Sequence, residues 1–184
     1  MNKSKKHIVV FAGNECVAAK EKYYYGLAYE MGKLLAQAGY VTVTGGGPGL
    51  MDQVSRGAVE NGGETIGIKL SVPGRVHSTF LTTSELFEHL APRQERLLSI
   101  GDAFIALPGG VGTLYEVFQV IALKRKLDIE ESKLMILVDE FFDQFEQLMN
   151  HVIQHGFAPP TIQKLYTLLK TPNDAIQILS KTFT

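Results

Sequence analysis

The chain has 184 residues, of which 45% are hydrophobic and 20% charged, and its formal net charge is -1. This length and composition suit one globular domain with a sizeable core, and the charge gives no global field that would attract nucleic acid or a membrane surface. The single cysteine, Cys16, excludes an internal disulfide and predicts a reducing, cytoplasmic compartment. No apolar run is long enough for a membrane span, and residues 1–6 are predicted to be a short basic tail without a signal-peptide core.

From residue 7 onward, short apolar runs alternate with segments of helical periodicity. The predicted strands in the first half are HIVVFA (7–12), YVTVT (40–44) and ETIGIKL (64–70). Apolar residues at helical spacing predict helices over 18–38 and 50–60, each followed by a glycine-containing turn. Residues 71–83 are predicted to form a loop region, in which FLTT (80–83) could form a short strand.

The second half continues the alternation. A helix is predicted over 85–100, with Pro92 marking a break or a late start. The remaining predictions are strands at AFIAL (103–107) and LMILV (134–138) and helices over 113–125, 141–155, 160–170 and 173–182. This order predicts a single α/β domain, 1–184, with an open, mainly parallel sheet and helices on both faces.

Three predicted strands are followed by loops that contain glycine: AGNE, GGGPG and PGGVGT. In parallel sheets, ligands bind beyond the carboxyl ends of the strands. Glycine lets backbone amides approach a ligand with no Cβ between them, and a helix that begins after the loop adds unpaired N–H groups and a partial positive charge. The two glycine-rich loops therefore predict a phosphate cradle, to which Thr113 could add a hydroxyl while capping its helix. For either loop alone, a tight turn is the alternative.

Neither glycine-rich loop matches the P-loop or the G-x-G-x-x-G dinucleotide fingerprint. Glu116 lies about one helical turn after Gly112, so its carboxylate can point back toward the loop. A carboxylate beside a phosphate is unfavourable unless the reaction needs it, and cleavage of a glycosidic bond needs one to stabilise a developing sugar cation or to activate water. The alternative is a glutamate that only gains from the helix dipole.

The segment PGGVGTLYE (108–116) resembles, letter for letter, the PGGxGTxxE motif of the LOG ("Lonely Guy") family. These proteins are cytokinin riboside 5'-monophosphate phosphoribohydrolases, and bacterial relatives were long labelled "possible lysine decarboxylase". TGGGPGLMD is similar to the family's GGGxxGLM stretch, and FAGNE stands at the place of its first glycine-containing loop. Arg93 has the spacing of the family's upstream arginine, Gln94 replaces the lysine that usually follows it, and Arg96 is a second candidate.

The resemblance implies a Rossmann-like fold and hydrolysis of a nucleoside 5'-monophosphate to free base and ribose 5-phosphate, with no cofactor. Glu116 would stabilise the ribosyl cation and activate water, and Arg93 would orient the nucleotide and support departure of the base. The residues implied to bind the phosphate or line the nucleotide groove are Gly13, Gly45, Gly46, Gly47, Gly49, Met51, Pro108, Gly109, Gly110, Gly112 and Thr113. No set of residues identifies a pyridoxal phosphate lysine, so the decarboxylase label gains no support.

No metal site is predicted, because His151 and His155 share a helix face without an evident third ligand. The resemblance also implies a homodimer whose active site lies near the subunit contact. We expect that contact on the helix that carries Arg93 and the helix after PGGVGT, because these helices carry more apolar surface than one sheet face needs. The apolar residues expected at that contact are Leu97, Leu98, Val117, Phe118, Val120, Ile121 and Leu123.

Two rival functions remain open at this stage. One is a nucleotide or molybdenum-cofactor carrier on the same fold, and the other is a sensor that binds a nucleotide without turnover. A carrier needs the glycine loops but not the glutamate, so Glu116 together with Arg93 favours the enzyme. No residue indicates whether the base is adenine, isopentenyladenine or another.

Overall fold

In the computed structural model, which describes residues 4–183, all strands join one parallel sheet in the order β4-β3-β2-β1-β5-β6-β7. The strands are β1 (His7–Phe11), β2 (Val41–Thr44), β3 (Thr65–Leu70), β4 (Thr83–Phe87), β5 (Ala103–Ala106), β6 (Met135–Val138) and β7 (Thr167–Leu169). The helices are α1 (Ala18–Gln37), α2 (Leu50–Glu60), α3 (Leu90–Ile100), α4 (Val111–Lys126), α5 (Asp143–Gln154) and α6 (Pro172–Thr182). Residues 1–3 of the predicted basic tail, and residue 184, lie outside the described residues.

The central strands are apolar on both sides because helices cover both faces of the sheet. Ile8 and Val10 of β1 pack in one cluster with residues of α1, α2 and α6. Val9 and Phe11 of the same strand point to the opposite face and pack with residues of α3, α4 and α5. Since alternate residues of a strand point to opposite faces, two cores form on one sheet, and the predicted α/β architecture is confirmed.

The switch point of the sheet lies between β1 and β5. From β1 the chain steps outward through β2, β3 and β4, and it then returns to the other side of β1 as β5. The loops that leave β1 and β5 therefore run in opposite directions, and a crevice opens between them at the carboxyl edge. The loops AGNE and PGGVGT border this crevice.

Two predicted elements differ from the structure. The helix expected over 160–170 is wrong: a 3-10 helix covers Pro160–Leu165, and β7 then pairs in parallel with the edge of β6. Ile162 and Leu165 are at helical spacing, but they pack on the core from that short turn. Around residue 85, β4 occupies the first part of the predicted helix, and α3 has the late start that Pro92 suggested.

Across residues 4–183, none of the helices combines the length and the apolar composition that a bilayer crossing requires.

Candidate active site

The three glycine-containing loops pack against one another because their strands, β2, β1 and β5, are neighbours in the sheet. The amide of Gly13 donates to the carbonyl of Pro108 at 3.0 Å, and the amide of Leu50 donates to the carbonyl of Gly13 at 3.0 Å. Gly49 has a φ of +69°, and a Cβ there would lie 1.8 Å from the carbonyl oxygen of Asn14. The loop after β1 thus links the other two, and only glycine fits at this crossing.

A cleft of about 560 Å³ opens over these loops. Its walls are the loop after β1, the start of α2, the side chains of Leu70 and Arg75, the first turns of α3 and the N-terminus of α4. A second cleft of about 630 Å³ lies near α5 and is mostly apolar, with Phe118, Phe141 and Leu148 among its lining. The candidate catalytic residues line the first cleft, and we assign the site there.

An ion pair between α3 and α4 forms one wall of the first cleft. Arg93 Nη1 donates to Glu116 Oε1 at 2.7 Å, and Arg93 Nε donates to the carbonyl of Ile68 at 3.0 Å. Gln94 Nε2 donates to the same Glu116 oxygen at 3.2 Å. Arg93 and Glu116 are each only 8% exposed, so the pair lies in a poorly hydrated site where its geometry is fixed by several bonds.

Burial raises the pKa of Glu116 above the usual range for a glutamate. The positive charge and hydrogen bond of Arg93, and the hydrogen bond from Gln94, oppose that rise because they favour the ionised form. A carboxylate whose pKa is raised binds a proton more strongly than an ordinary glutamate, which suits it to take a proton from water.

The PGGVGT loop ends in the N-terminus of α4. The helix begins at Val111 with Gly110 as its N-cap, and its first hydrogen bond runs from the amide of Leu114 to the carbonyl of Gly110 at 3.0 Å. The preceding amides have no partner within the helix and face its N-terminal end. Thr113 therefore lies in the first turn, and the prediction that it caps the helix is wrong.

A Cβ atom built on Gly110 or Gly112 meets no atom of residues 4–183 within 4 Å. Both glycines line the cleft, so the space beside them is open to a ligand. Because no packing contact demands glycine at these two positions, their lack of a side chain is what a phosphate held by backbone amides would need.

Seven of the sequence-predicted site residues line the cleft together. They are Gly13, Met51, Arg93, Gly110, Gly112, Thr113 and Glu116. The remaining predicted residues, Gly45, Gly46, Gly47, Gly49, Pro108 and Gly109, lie in the supporting loops, and direct contact of these six with a nucleotide stays a prediction.

Close packing explains several of these supporting glycines. A Cβ on Gly45 would lie 2.2 Å from Arg93 Nη2, and one on Gly109 would lie 2.2 Å from Thr113 Oγ1. Gly46 has a φ of +63°, which favours glycine. Gly45, the first glycine of the GGG stretch, therefore makes room for the arginine of the ion pair.

Sequence reasoning missed several residues of the cleft. Arg75, in the loop between β3 and β4, lines it, as do Asn14, Glu15 and Tyr115. Glu15 and Tyr115 lie within the quoted motifs and could have been considered. Arg75 belongs to no motif, and only the path of its loop over the sheet edge brings it to the site.

Gly45→Ala should lower activity by at least ~10-fold without unfolding the protein, because the new methyl group displaces Arg93 from Glu116. Gly26→Ala in α1 is a matched control, since a Cβ there meets no atom of the described part of the chain within 4 Å. Steady-state rates and thermal unfolding of both variants are the measurements. If Gly45→Ala retains wild-type turnover, the activity does not depend on the observed position of Arg93.

Most of the apolar residues expected at the dimer contact are internal, and for those residues the expectation is wrong, whereas Phe118 is 39% exposed. Leu97, Val117 and Val120 are fully buried, and Leu98 and Ile121 are nearly so, all within the chain's own core. Helical periodicity shows that a face is apolar, but it does not show whether the chain's own sheet covers it.

Residues 51–179 match the family model described as "Possible lysine decarboxylase". A rice protein (Oryza sativa subsp. japonica) named as a probable cytokinin riboside 5'-monophosphate phosphoribohydrolase is 33% identical over 96% of this chain and 72% of its own. The chain belongs to the LOG family. A LOG-family protein of the bacterium Rhodococcoides fascians, a cytokinin riboside 5'-monophosphate phosphoribohydrolase by name, is 29% identical over 93% of this chain and 87% of its own.

Among solved structures, the LOG-family chain resembles the molybdenum cofactor binding protein of Rippkaea orientalis. That structure superposes with a TM-score of 0.73 and 25% identity, over 98% of each chain. Proteins described as enzymes and a protein described as a cofactor binder thus resemble the same chain. The fold alone does not distinguish these functions, so the choice between them depends on the residues of the site.

Proposed function

We propose that this protein hydrolyses the N-glycosidic bond of a nucleoside 5'-monophosphate, releasing the free base and ribose 5-phosphate. The observation that carries the proposal is the buried Arg93–Glu116 pair in the same cleft as the open N-terminus of α4. The names of the family relatives, at about 30% identity, support the same reaction.

The N-terminus of α4 would bind the phosphate. The amides of its first turn and the helix dipole both favour an anion, and Gly110 and Gly112 leave room for the phosphate oxygens. Glu116 lies on the next turn of the same helix, so a ribose attached to that phosphate would lie near its carboxylate. The phosphate would act as a handle that places the reacting carbon.

In the reaction, the bond between C1' of the ribose and the base nitrogen breaks, and its electron pair leaves with the base, which takes up a proton from the solvent. A water molecule bonds to C1' and loses a proton to Glu116. The carboxylate also stabilises the positive charge that develops on the ribose. Arg93 binds Glu116 directly, so its first role would be to position that carboxylate and to offset its negative charge. Contact of Arg93 with the nucleotide stays a prediction.

A panel of nucleoside monophosphates that starts with AMP tests the proposal. We expect several equivalents of free base and of ribose 5-phosphate per chain, detected by chromatography. The panel also determines the base, because adenine and isopentenyladenine nucleotides are compared directly. Binding of a monophosphate by calorimetry without release of any base would reject hydrolysis.

A binding or carrier function is the second candidate, and the likeness to the Rippkaea orientalis protein favours it. A carrier has no need of a buried carboxylate beside the anion site, because that charge weakens anion binding. The monophosphate panel separates the two functions, since a carrier binds without turnover.

We also expect a homodimer, with a contact other than the internal residues named above. Light scattering at micromolar concentration should give twice the mass of the chain, which is 20.3 kDa. A single-chain mass would contradict the expectation.

The cytoplasmic location expected from the single cysteine likewise stays a prediction.

A further inference from the structure

Gln94 lies in the first cleft beside the ion pair and is only 2% exposed. Its Nε2 donates to Glu116 Oε1, the same oxygen that accepts from Arg93. Its own carbonyl oxygen, Oε1, is buried and has no hydrogen-bond partner among residues 4–183. A buried amide oxygen without a partner destabilises a fold, so stability alone does not account for a glutamine here.

The hydrogen bonds from Arg93 and Gln94 determine the orientation of the Glu116 carboxylate. Both donors bind Oε1, and within residues 4–183 no hydrogen bond is made to Oε2. Because Glu116 lines the cleft, Oε2 is the oxygen available to a ligand. Arg93 is itself held by the carbonyl of Ile68, and a second donor from Gln94 opposes rotation of the carboxylate about its last bond.

We propose that Gln94 is a positioning residue that holds Oε1 of Glu116 beside Arg93, turns Oε2 toward the ribose and the attacking water, and does so without adding a second cation. The proposal rests on the proposed hydrolysis for its effect on turnover, but not for its effect on the carboxylate. A neutral amide can donate to an ionised carboxylate or, when rotated, accept from a protonated one. Glu116 can therefore gain and lose a proton beside Gln94.

Few charged side chains line the cleft around Glu116. Arg93 is the cation in direct contact, and Glu15 and Arg75 are the other charged residues that line the cleft within the described chain. A cation at position 94 would add to Arg93 and favour the ionised carboxylate.

Two variants test the proposal. Gln94→Met keeps the length of the side chain and removes both amide groups. Gln94→Lys keeps a donor and adds a charge. In Gln94→Met we expect AMP affinity within ~3-fold of wild type and kcat lower by ~10-fold or more, since binding energy is retained while the carboxylate loses its orientation.

The acid limb of the pH profile separates positioning from a general structural defect. On the proposed mechanism, we expect activity to rise with pH as Glu116 ionises. Loss of a donor raises the pKa of that carboxyl and should move the limb of Gln94→Met to higher pH, whereas the added cation should move the limb of Gln94→Lys to lower pH. Glu95→Gln, on the exposed side of α3, is the control and should leave the limb in place.

An NMR titration of carboxyl-labelled glutamate reports the same shifts without turnover, with the Glu116 signal assigned by its loss in Glu116→Gln. Opposite shifts in the two Gln94 variants support the proposal. A Glu116 titration that is the same in both variants and wild type overturns it, whatever the activity. If the titration shifts as expected but wild type hydrolyses no monophosphate, the proposed function fails and the positioning role stands.

Discussion

Glu116→Gln should lower the hydrolysis of a nucleoside 5'-monophosphate by at least ~100-fold, a typical loss for an electrostatic catalytic group. Glutamine has the same size and keeps an oxygen that can accept the hydrogen bond from Arg93 at the position of Oε1. The shape of the cleft should therefore persist, and the loss should fall on kcat. Without the negative charge, the ribosyl cation is not stabilised and water has no base.

Nucleotide binding should survive the same substitution or become tighter, because the carboxylate no longer repels the phosphate. Calorimetry with AMP measures this directly. Glu95→Gln makes the same change of charge at an exposed position and should leave kcat and affinity near wild type. Turnover of Glu116→Gln within a few-fold of wild type would reject Glu116 as the catalytic acid–base residue.

The place of the candidate site in the fold could be predicted from the sequence because its parts are close together in the chain. PGGVGTLYE contains the loop, the start of α4 and Glu116 in one continuous segment, and helix geometry fixes how they lie relative to one another. The neighbouring loops follow from the alternation of strands and helices, since parallel strands end at one sheet edge. Arg93 was found only by its resemblance to a family motif.

The features that sequence reasoning missed depend on contacts between segments that are distant in the chain. The Gln94 oxygen, which has no hydrogen-bond partner within residues 4–183, and the position of Arg75 arise only once α3 and the loop before β4 are placed over the sheet. The short edge strand β7 was missed because its three residues carry no alternation, and its pairing comes from β6. Gly45 is needed because of Arg93, which no local pattern reveals.

A substrate without the 5'-phosphate should be hydrolysed far less efficiently. If the N-terminus of α4 holds the phosphate, kcat/KM for a nucleoside such as adenosine should be lower than for AMP by on the order of 1000-fold or more. The phosphate does not react, so its binding energy can be used to hold the ribose against Glu116. Charge-assisted hydrogen bonds are each worth roughly 1.5–3 kcal/mol, and each ~1.4 kcal/mol is a factor of ten, so the loss of two or three such bonds gives this ratio.

Gly110→Ala and Gly112→Ala test whether the loop itself carries this preference. Each adds a methyl group in open space beside the cleft, so the fold should not suffer, while phosphate oxygens would be displaced. Both variants should therefore lose more kcat/KM for AMP than for adenosine, whereas Gly26→Ala, which also adds a methyl group in open space but on α1, should change neither. The measurement is kcat/KM for both substrates on the wild type and the three variants. Equal rates for AMP and adenosine on the wild type would mean that PGGVGT is only a turn between β5 and α4.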